Sequence, residues 1–268
     1  MSRISIKNES ERKKRIVAGN KLGHIFDLLR PEIKPGRSTY EINKLAENLI
    51  KDSGGKPNFA LEPGYRWAVC ASVNATLIHG IPSKNIILKE GDILSIDRGN
   101  LDNNGYNGDA CRTFPVGNIS DEAQKLIRCT EECFYAAYKV CLPGHHLYEI
   151  SMAIQKTADK YGYSLCKEYG GHGIGRSMHE DPFIPNYYDS SLGLGPFLRP
   201  GRCIAIEPRV RSGASDIITL DDSWGVVSKD GKLTCHYEND VIITENGPII
   251  TSVDENVRQH LKELGTIA

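Results

Sequence analysis

From about Asn8 to Arg30 apolar residues return at helical spacing, with Ile16, Leu22, Ile25, Phe26 and Leu29 on roughly one face, and Pro31 closes the segment. The basic run Arg12 to Arg15 reads as the solvated side of that helix. Pro35-Gly36 marks a turn. Ser38 followed three residues later by Glu41 predicts a capping box opening a second helix to about Ser53, which Gly54-Gly55 stops. From Trp67 to Pro115 the pattern changes to short β-rich runs separated by Gly, Asn and Asp. Two helical stretches follow, about Ser120 to Cys141 and His146 to Tyr161. The chain then returns to strands and loops as far as about Thr251, with a short helix at the end.

The pattern repeats. Lys34-Pro35-Gly36 followed by Tyr40-Glu41-Ile42 returns as Leu142-Pro143-Gly144 followed by Tyr148-Glu149-Ile150, displaced by 108 residues. The run Leu88 to Asp97 aligns with Leu198 to Glu207, displaced by 110 residues, and both copies end on a carboxylate. Turns of this kind are common enough to coincide. Two matches in the same order at nearly the same displacement favour two related halves, about 30–115 and 138–245, within one unit spanning 1–268.

Composition narrows the function. Lys and Arg number 33 against 34 Asp and Glu, so the chain lacks the positive excess that would draw it to nucleic acid or an anionic membrane, and neither is expected as a partner. The opening segment Met1 to Arg15 is polar and charged, unlike a secretory signal, and runs such as Val241 to Thr244 are too short to cross a bilayer. The eight cysteines, at 70, 111, 129, 133, 141, 166, 203 and 235, include no Cys-x-x-Cys pair and read as reduced thiols of a cytoplasmic protein.

The candidate chemistry lies in carboxylates that follow apolar runs, where an unpaired charge is costly. Asp97 and Glu207 occupy equivalent repeat positions, and Asp109 follows Asp97 by 12 residues. A hairpin centred on Asn103 sets Asp97 opposite Asp109, an arrangement that needs a cation between them. A two-residue Asn104-Gly105 turn instead sets Asp97 opposite Arg112 in a plain salt bridge, which the arithmetic taken alone favours. His172 stands among Gly170, Gly171, Gly173 and Gly175, whose freedom in φ and close backbone approach suit an imidazole held in an unusual exposed setting. The glycine spacing is not that of a dinucleotide site. With Glu238, at the start of the apolar run Val241 to Thr244, these residues make four carboxylates and one histidine, a mostly oxygen donor set suited to two divalent cations.

That set, together with Asn74 to Pro82, Gly171 to Arg176, His179-Glu180 and Ile206-Glu207-Pro208, resembles the type I methionine aminopeptidases from about Ile4 to Ser252. The resemblance implies the α+β pita-bread fold, with two pseudo-symmetric halves around a central antiparallel sheet. It implies that Asp97 binds one metal, that Asp109 and Glu238 bridge both, and that His172 and Glu207 complete the other. It further implies hydrolysis by a metal-bridging hydroxide, with Glu207 passing the proton to the leaving amine, His179 donating toward the carbonyl, and His79 contacting the substrate amide. Phe59, Tyr65, Cys70, Met178 and Trp224 would wall the slot for the methionine side chain. The implied activity is removal of the initiator methionine from nascent chains and peptides, with small second residues preferred. Cobalt, manganese, iron and zinc all suit the donors.

Several positions depart from the family pattern. Glu62 and Met178 stand where aromatic residues are common, Arg98 follows Asp97, and Asn239-Asp240 follow Glu238. Retained metal binding with altered tuning is expected. A monomer is expected, and any ribosome contact is transient. An X-Pro aminopeptidase or prolidase is a second reading, set against by the roughly 35 residues that precede the first repeat copy. A metal-free binding protein on the same fold is a third, set against by the complete ligand set.

Overall fold

A computed structural model describes residues 4–266. Helix α1 (Glu9–Leu29) begins at a reciprocal capping box between Asn8 and Glu11, buries Ala18, Leu22, Ile25, Phe26 and Leu29, and ends at a turn containing Pro31. The basic run is not wholly solvated: Arg15 is fully buried in an ion pair, because its position falls on the inner face of the helix. Helix α2 (Thr39–Asp52) opens at the expected Ser38–Glu41 box. Strands β1 (Lys56–Pro57), β2 (Cys70–Val73), β3 (Thr76–Ile78), β4 (Ile93–Leu101) and β5 (Asn107–Pro115) follow.

Helices α3 (Asp121–Lys139) and α4 (Glu149–Tyr161) come next. The second begins three residues later than the periodicity suggests, because the Glu149 carboxylate accepts the His146 amide and holds residues 146–148 in a turn. The remaining strands are β6 (Ser164–Leu165), β7 (Gly170–Gly173), β8 (Glu180–Pro185), β9 (Cys203–Ile206), β10 (Arg209–Arg211), β11 (Ile217–Thr219), β12 (Val226–Ser228), β13 (Thr234–His236), β14 (Glu238–Thr244) and β15 (Gly247–Ile250), before α5 (Glu255–Glu263).

One antiparallel sheet carries the order β1-β4-β5-β14-β9-β7-β8, with β2 also on β4 and β15 also on β14. The repeat strands β4 and β9 therefore flank the central pair β5–β14 on opposite sides. Two small sheets, β13-β10-β6 and β11-β12-β3, lie beside it. Helices α1 and α2 pack with Leu94, Ile96, Ala110 and Phe114, while α3 and α4 pack with Ile204, Ile206, Val241 and Ile243, giving each half of the sheet its own core cluster. Among the described residues no helix is long and apolar enough to cross a membrane.

The β4–β5 register matches neither expectation. Asp97 faces Cys111, and Asp109 faces Gly99. The loop is three residues long: the Asp102 amide donates to Tyr106, the Gly105 amide donates to Asp102, and Gly105 takes φ 76°. The Asp102 carboxylate also accepts the Asn104 and Tyr106 amides, which locks the turn. Asp97 and Asp109 thus sit diagonally on one face of the ladder, and Arg112 lies on the other face, bound to Asp254 at 2.8 Å.

Candidate metal centre

Five adjacent strands each deliver one of the expected ligands: Asp97 on β4, Asp109 on β5, Glu238 on β14, Glu207 immediately after β9, and His172 on β7. All five are buried. His172 Nε2 lies 3.8 Å from Asp109 Oδ2 and 3.7 Å from Glu207 Oε1. Ligand atoms of Asp109, His172 and Glu238 lie within 4.8 Å of one another.

The imidazole is held in one tautomer. His172 Nδ1 is 2.8 Å from the Gly173 carbonyl, which can only accept, so Nδ1 carries the proton and Nε2 presents a lone pair to the carboxylates. The histidine is buried, contrary to the exposed setting expected, and none of its four glycine neighbours has positive φ. Their role is close approach: a Cβ on Gly171 would fall on the Ala205 carbonyl, and one on Gly173 on the Asp181 carbonyl. Without side chains there, β7 can approach both β8 and β9 closely.

Burial dominates the electrostatics. It raises Asp97 to about 7 and Glu207 to about 8, in each case opposed by Arg209, and it lifts Asp109 and Glu238 well above the carboxylate range, reinforced by neighbouring carboxylates. Burial likewise lowers His172 to about 3 and His79 to about 4, and partial desolvation lowers the exposed His179 against the opposing pull of Glu62. Neutral imidazoles beside four crowded carboxylates are what a divalent-cation site requires of its donors. Asp97 Oδ1 and Asp109 Oδ1 are buried without a hydrogen-bond partner, so the donor set fits a bound cation.

All twelve residues expected in the site line a single cavity of about 190 Å³. Phe59, Tyr65 and Cys70 form an apolar cluster with Met178 and Trp224, and the Tyr65 and Trp224 rings meet edge to face at 5.0 Å. His79 adopts φ 56°, in the left-handed region uncommon for non-glycine residues, with its ring edge-on to Tyr169 and Trp224. The His179 ring lies 4.5 Å from that of His172. Glu62 also lines the cavity.

The departures near the ligands have separate structural roles. Arg98 points away from the cavity, donates to the Leu22 carbonyl and lies over the Phe26 ring. Asn239 binds Arg112 and Ser252, and Asp240 binds Arg15. Two residues escaped the sequence reading. Arg209 is buried and ion-paired with Glu207 Oε2, and His236 places Nε2 3.7 Å from both Glu207 Oε2 and Glu238 Oε2. Each lies two positions from a ligand, and Arg209 and His236 are paired across β10 and β13. The period of two along extended chain was the signal available for them.

The comparisons with known proteins agree with this geometry. The family model for metallopeptidase family M24 matches residues 16–245. The chain is similar to the methionine aminopeptidase of Clostridium acetobutylicum, with 44% identity over 94% of this chain and 100% of the relative. Its fold superposes on the crystal structure of the Thermotoga maritima methionine aminopeptidase with a TM-score of 0.90 and 38% identity, covering 94% of this chain and 100% of that one. A prolidase from Pyrococcus furiosus superposes at a TM-score of 0.75 and 25% identity, covering 93% of this chain but 66% of that one. The chain belongs to metallopeptidase family M24, among its methionine aminopeptidases.

Proposed function

We infer that this chain is a metal-dependent aminopeptidase that removes N-terminal methionine from peptides and nascent proteins. The observation that carries the reading is the convergence of five ligand-bearing strands on a cavity whose other wall is the Phe59–Tyr65–Cys70–Met178–Trp224 cluster. Soft thioether sulfur against aromatic edges suits the methionine side chain.

Asp97 would hold one divalent ion, Asp109 and Glu238 would reach both, and His172 with Glu207 would complete the second. Bound divalent ions would supply an activated water and polarise the scissile carbonyl. Glu207 has the role of proton carrier. With Oε2 paired to Arg209 and Oε1 facing the His172 donor, the carboxylate would take the proton from the activated water and return it to the leaving amine. His179, exposed at the cavity mouth and held below the ordinary histidine value by partial desolvation, donates toward the carbonyl oxygen, and His79 contacts the substrate amide from its left-handed backbone position.

Small second residues are favoured because a bulky side chain would meet the crowded ligand cluster. One catalytic unit with two interdependent halves, about 30–115 and 138–245, agrees with both repeat carboxylates lying at a single centre. A cytoplasmic monomer that meets the ribosome only transiently completes the reading, with cobalt, manganese, iron or zinc as the ion. Purified protein supplied with Co(II) or Mn(II) should release methionine from Met-Ala-Ser far faster than from Met-Lys-Ser. No release from Met-Ala-Ser would overturn the reading, and cleavage of an X-Pro peptide instead would assign the chain to the prolidase side of the family.

A further inference from the structure

The residues around Glu238 form two ligand triples. Asp109, His172 and Glu238 have ligand atoms within 4.8 Å of one another, and so do Asp97, His236 and Glu238. Glu238 is common to both, so the triples describe two adjacent positions joined by one carboxylate. Each contains one further carboxylate and one imidazole.

His236 is placed there by strand alternation. β13 runs into β14, and side chains two residues apart share a face, so His236 and Glu238 point the same way while Tyr237 enters the core beside α3. His236 is 1% exposed, and its Nε2 is buried without any hydrogen-bond partner although two carboxylate oxygens stand 3.7 Å away. That separation is too long for a hydrogen bond. It is the spacing expected of donors arranged around a common cation, since ions of this class sit about 2 Å from each nitrogen or oxygen.

We propose that His236 Nε2 is a ligand of the divalent ion held by Asp97, so that each ion of the pair carries one imidazole, His172 on one side and His236 on the other. The inference rests on the two-ion reading above. A nitrogen donor at the Asp97 position would shift preference there from the hard, oxygen-seeking ions toward cobalt, iron and zinc.

The test uses the full chain freed of metal and titrated with Co(II), followed by calorimetry and by proton NMR in the hyperfine-shifted region. A Co(II)-ligated imidazole bound through Nε2 keeps an exchangeable Nδ1 proton that appears as a shifted resonance. At two Co(II) per chain the wild type should give two such resonances, one lost in His236→Gln and the other in His172→Asn. His236→Gln should also weaken binding of one Co(II) at least tenfold while leaving the other unchanged. A single resonance in the wild type, or two in His236→Gln with unaltered affinities, would overturn the proposal while the two-ion reading stood. Fewer than two Co(II) bound by the wild type would overturn both. A single wild-type resonance overturns the proposal even if the variant fails to fold.

Discussion

Arg15 and Asp240, 225 residues apart in sequence, form a fully buried ion pair at 2.7 Å, and the same Asp240 oxygen accepts the Asp109 amide at 2.9 Å. The first helix is thereby tied through a single carboxylate oxygen to the backbone of a candidate metal ligand. Removing one partner strands the other charge in the interior, which typically costs about 3–5 kcal/mol. Arg15→Ala should therefore lower the guanidinium unfolding free energy of metal-loaded protein by about that amount. Because Asp109 loses the order of its support, the variant should also bind Mn(II) more weakly in an equilibrium titration. An unchanged unfolding midpoint would remove the pair from any structural role.

Gly171 should be intolerant of a single methyl group. A Cβ there would fall on the Ala205 carbonyl of β9, whose strand pairs with the His172-bearing strand. Relief requires β7 to move, and overpacking of this kind costs about 1–3 kcal/mol. Displacement of His172 goes with it. Gly171→Ala should lower the melting temperature and weaken metal binding together, whereas Gly231→Ala, where no atom lies near the added Cβ and the left-handed φ of 70° costs stability alone, should leave metal affinity unchanged.

Periodicity and capping chemistry made the helices legible, because Ser38 with Glu41, and Pro31 after an apolar face, are local signals. The repeat made Asp97 and Glu207 legible as a matched pair of carboxylates. The hairpin register was not, since arithmetic along the chain cannot choose between turns of two and three residues when Asn103, Asn104 and Gly105 suit either. The left-handed Gly105 and the Asp102 carboxylate decide it, by placing Asp97 opposite Cys111. Burial of Arg15 depends on a partner at the far end of the chain, and no local pattern announces it. Arg209 and His236 were hidden differently: each looks like an ordinary strand residue until the neighbouring ligand two positions away fixes which face it shares.

Glu207→Gln isolates the proton carrier. Glutamine is close in size and can still fill the position between His172 and Arg209, but it cannot accept a proton as a carboxylate does. Loss of general acid–base catalysis typically costs about 10²- to 10⁴-fold. Turnover of Met-Ala-Ser should fall within that range while far-UV circular dichroism stays unchanged. A loss below tenfold at saturating metal would move the proton-carrying role to another group.

Metal removal should expose the cost of the carboxylate cluster as a dependence on pH with a definite sign. Asp97 and Glu207 have folded values of about 7 and 8, above their ordinary values of 3.8 and 4.5, so the folded metal-free state binds protons that the unfolded chain releases. Their contribution to stability is complete below pH 4 and is lost as the pH rises through 7 and 8. His172 and His79 act in the opposite sense: their values fall to about 3 and 4 from 6.5, so they cost stability only as the pH drops below about 6.5. Between pH 6.5 and 8 these histidines are neutral in the folded state and at most half protonated in the unfolded chain, so their opposing contribution fades across the window and the carboxylates dominate the slope. Melting temperatures measured with chelator should therefore fall across this window. Saturating Mn(II), which compensates the ionised carboxylates, should raise the melting temperature by an increment that grows with pH. A chelated protein whose melting temperature stayed level or rose from pH 6.5 to 8 would mean that Asp97 and Glu207 are already ionised without a cation, and that Arg209 suffices to neutralise them.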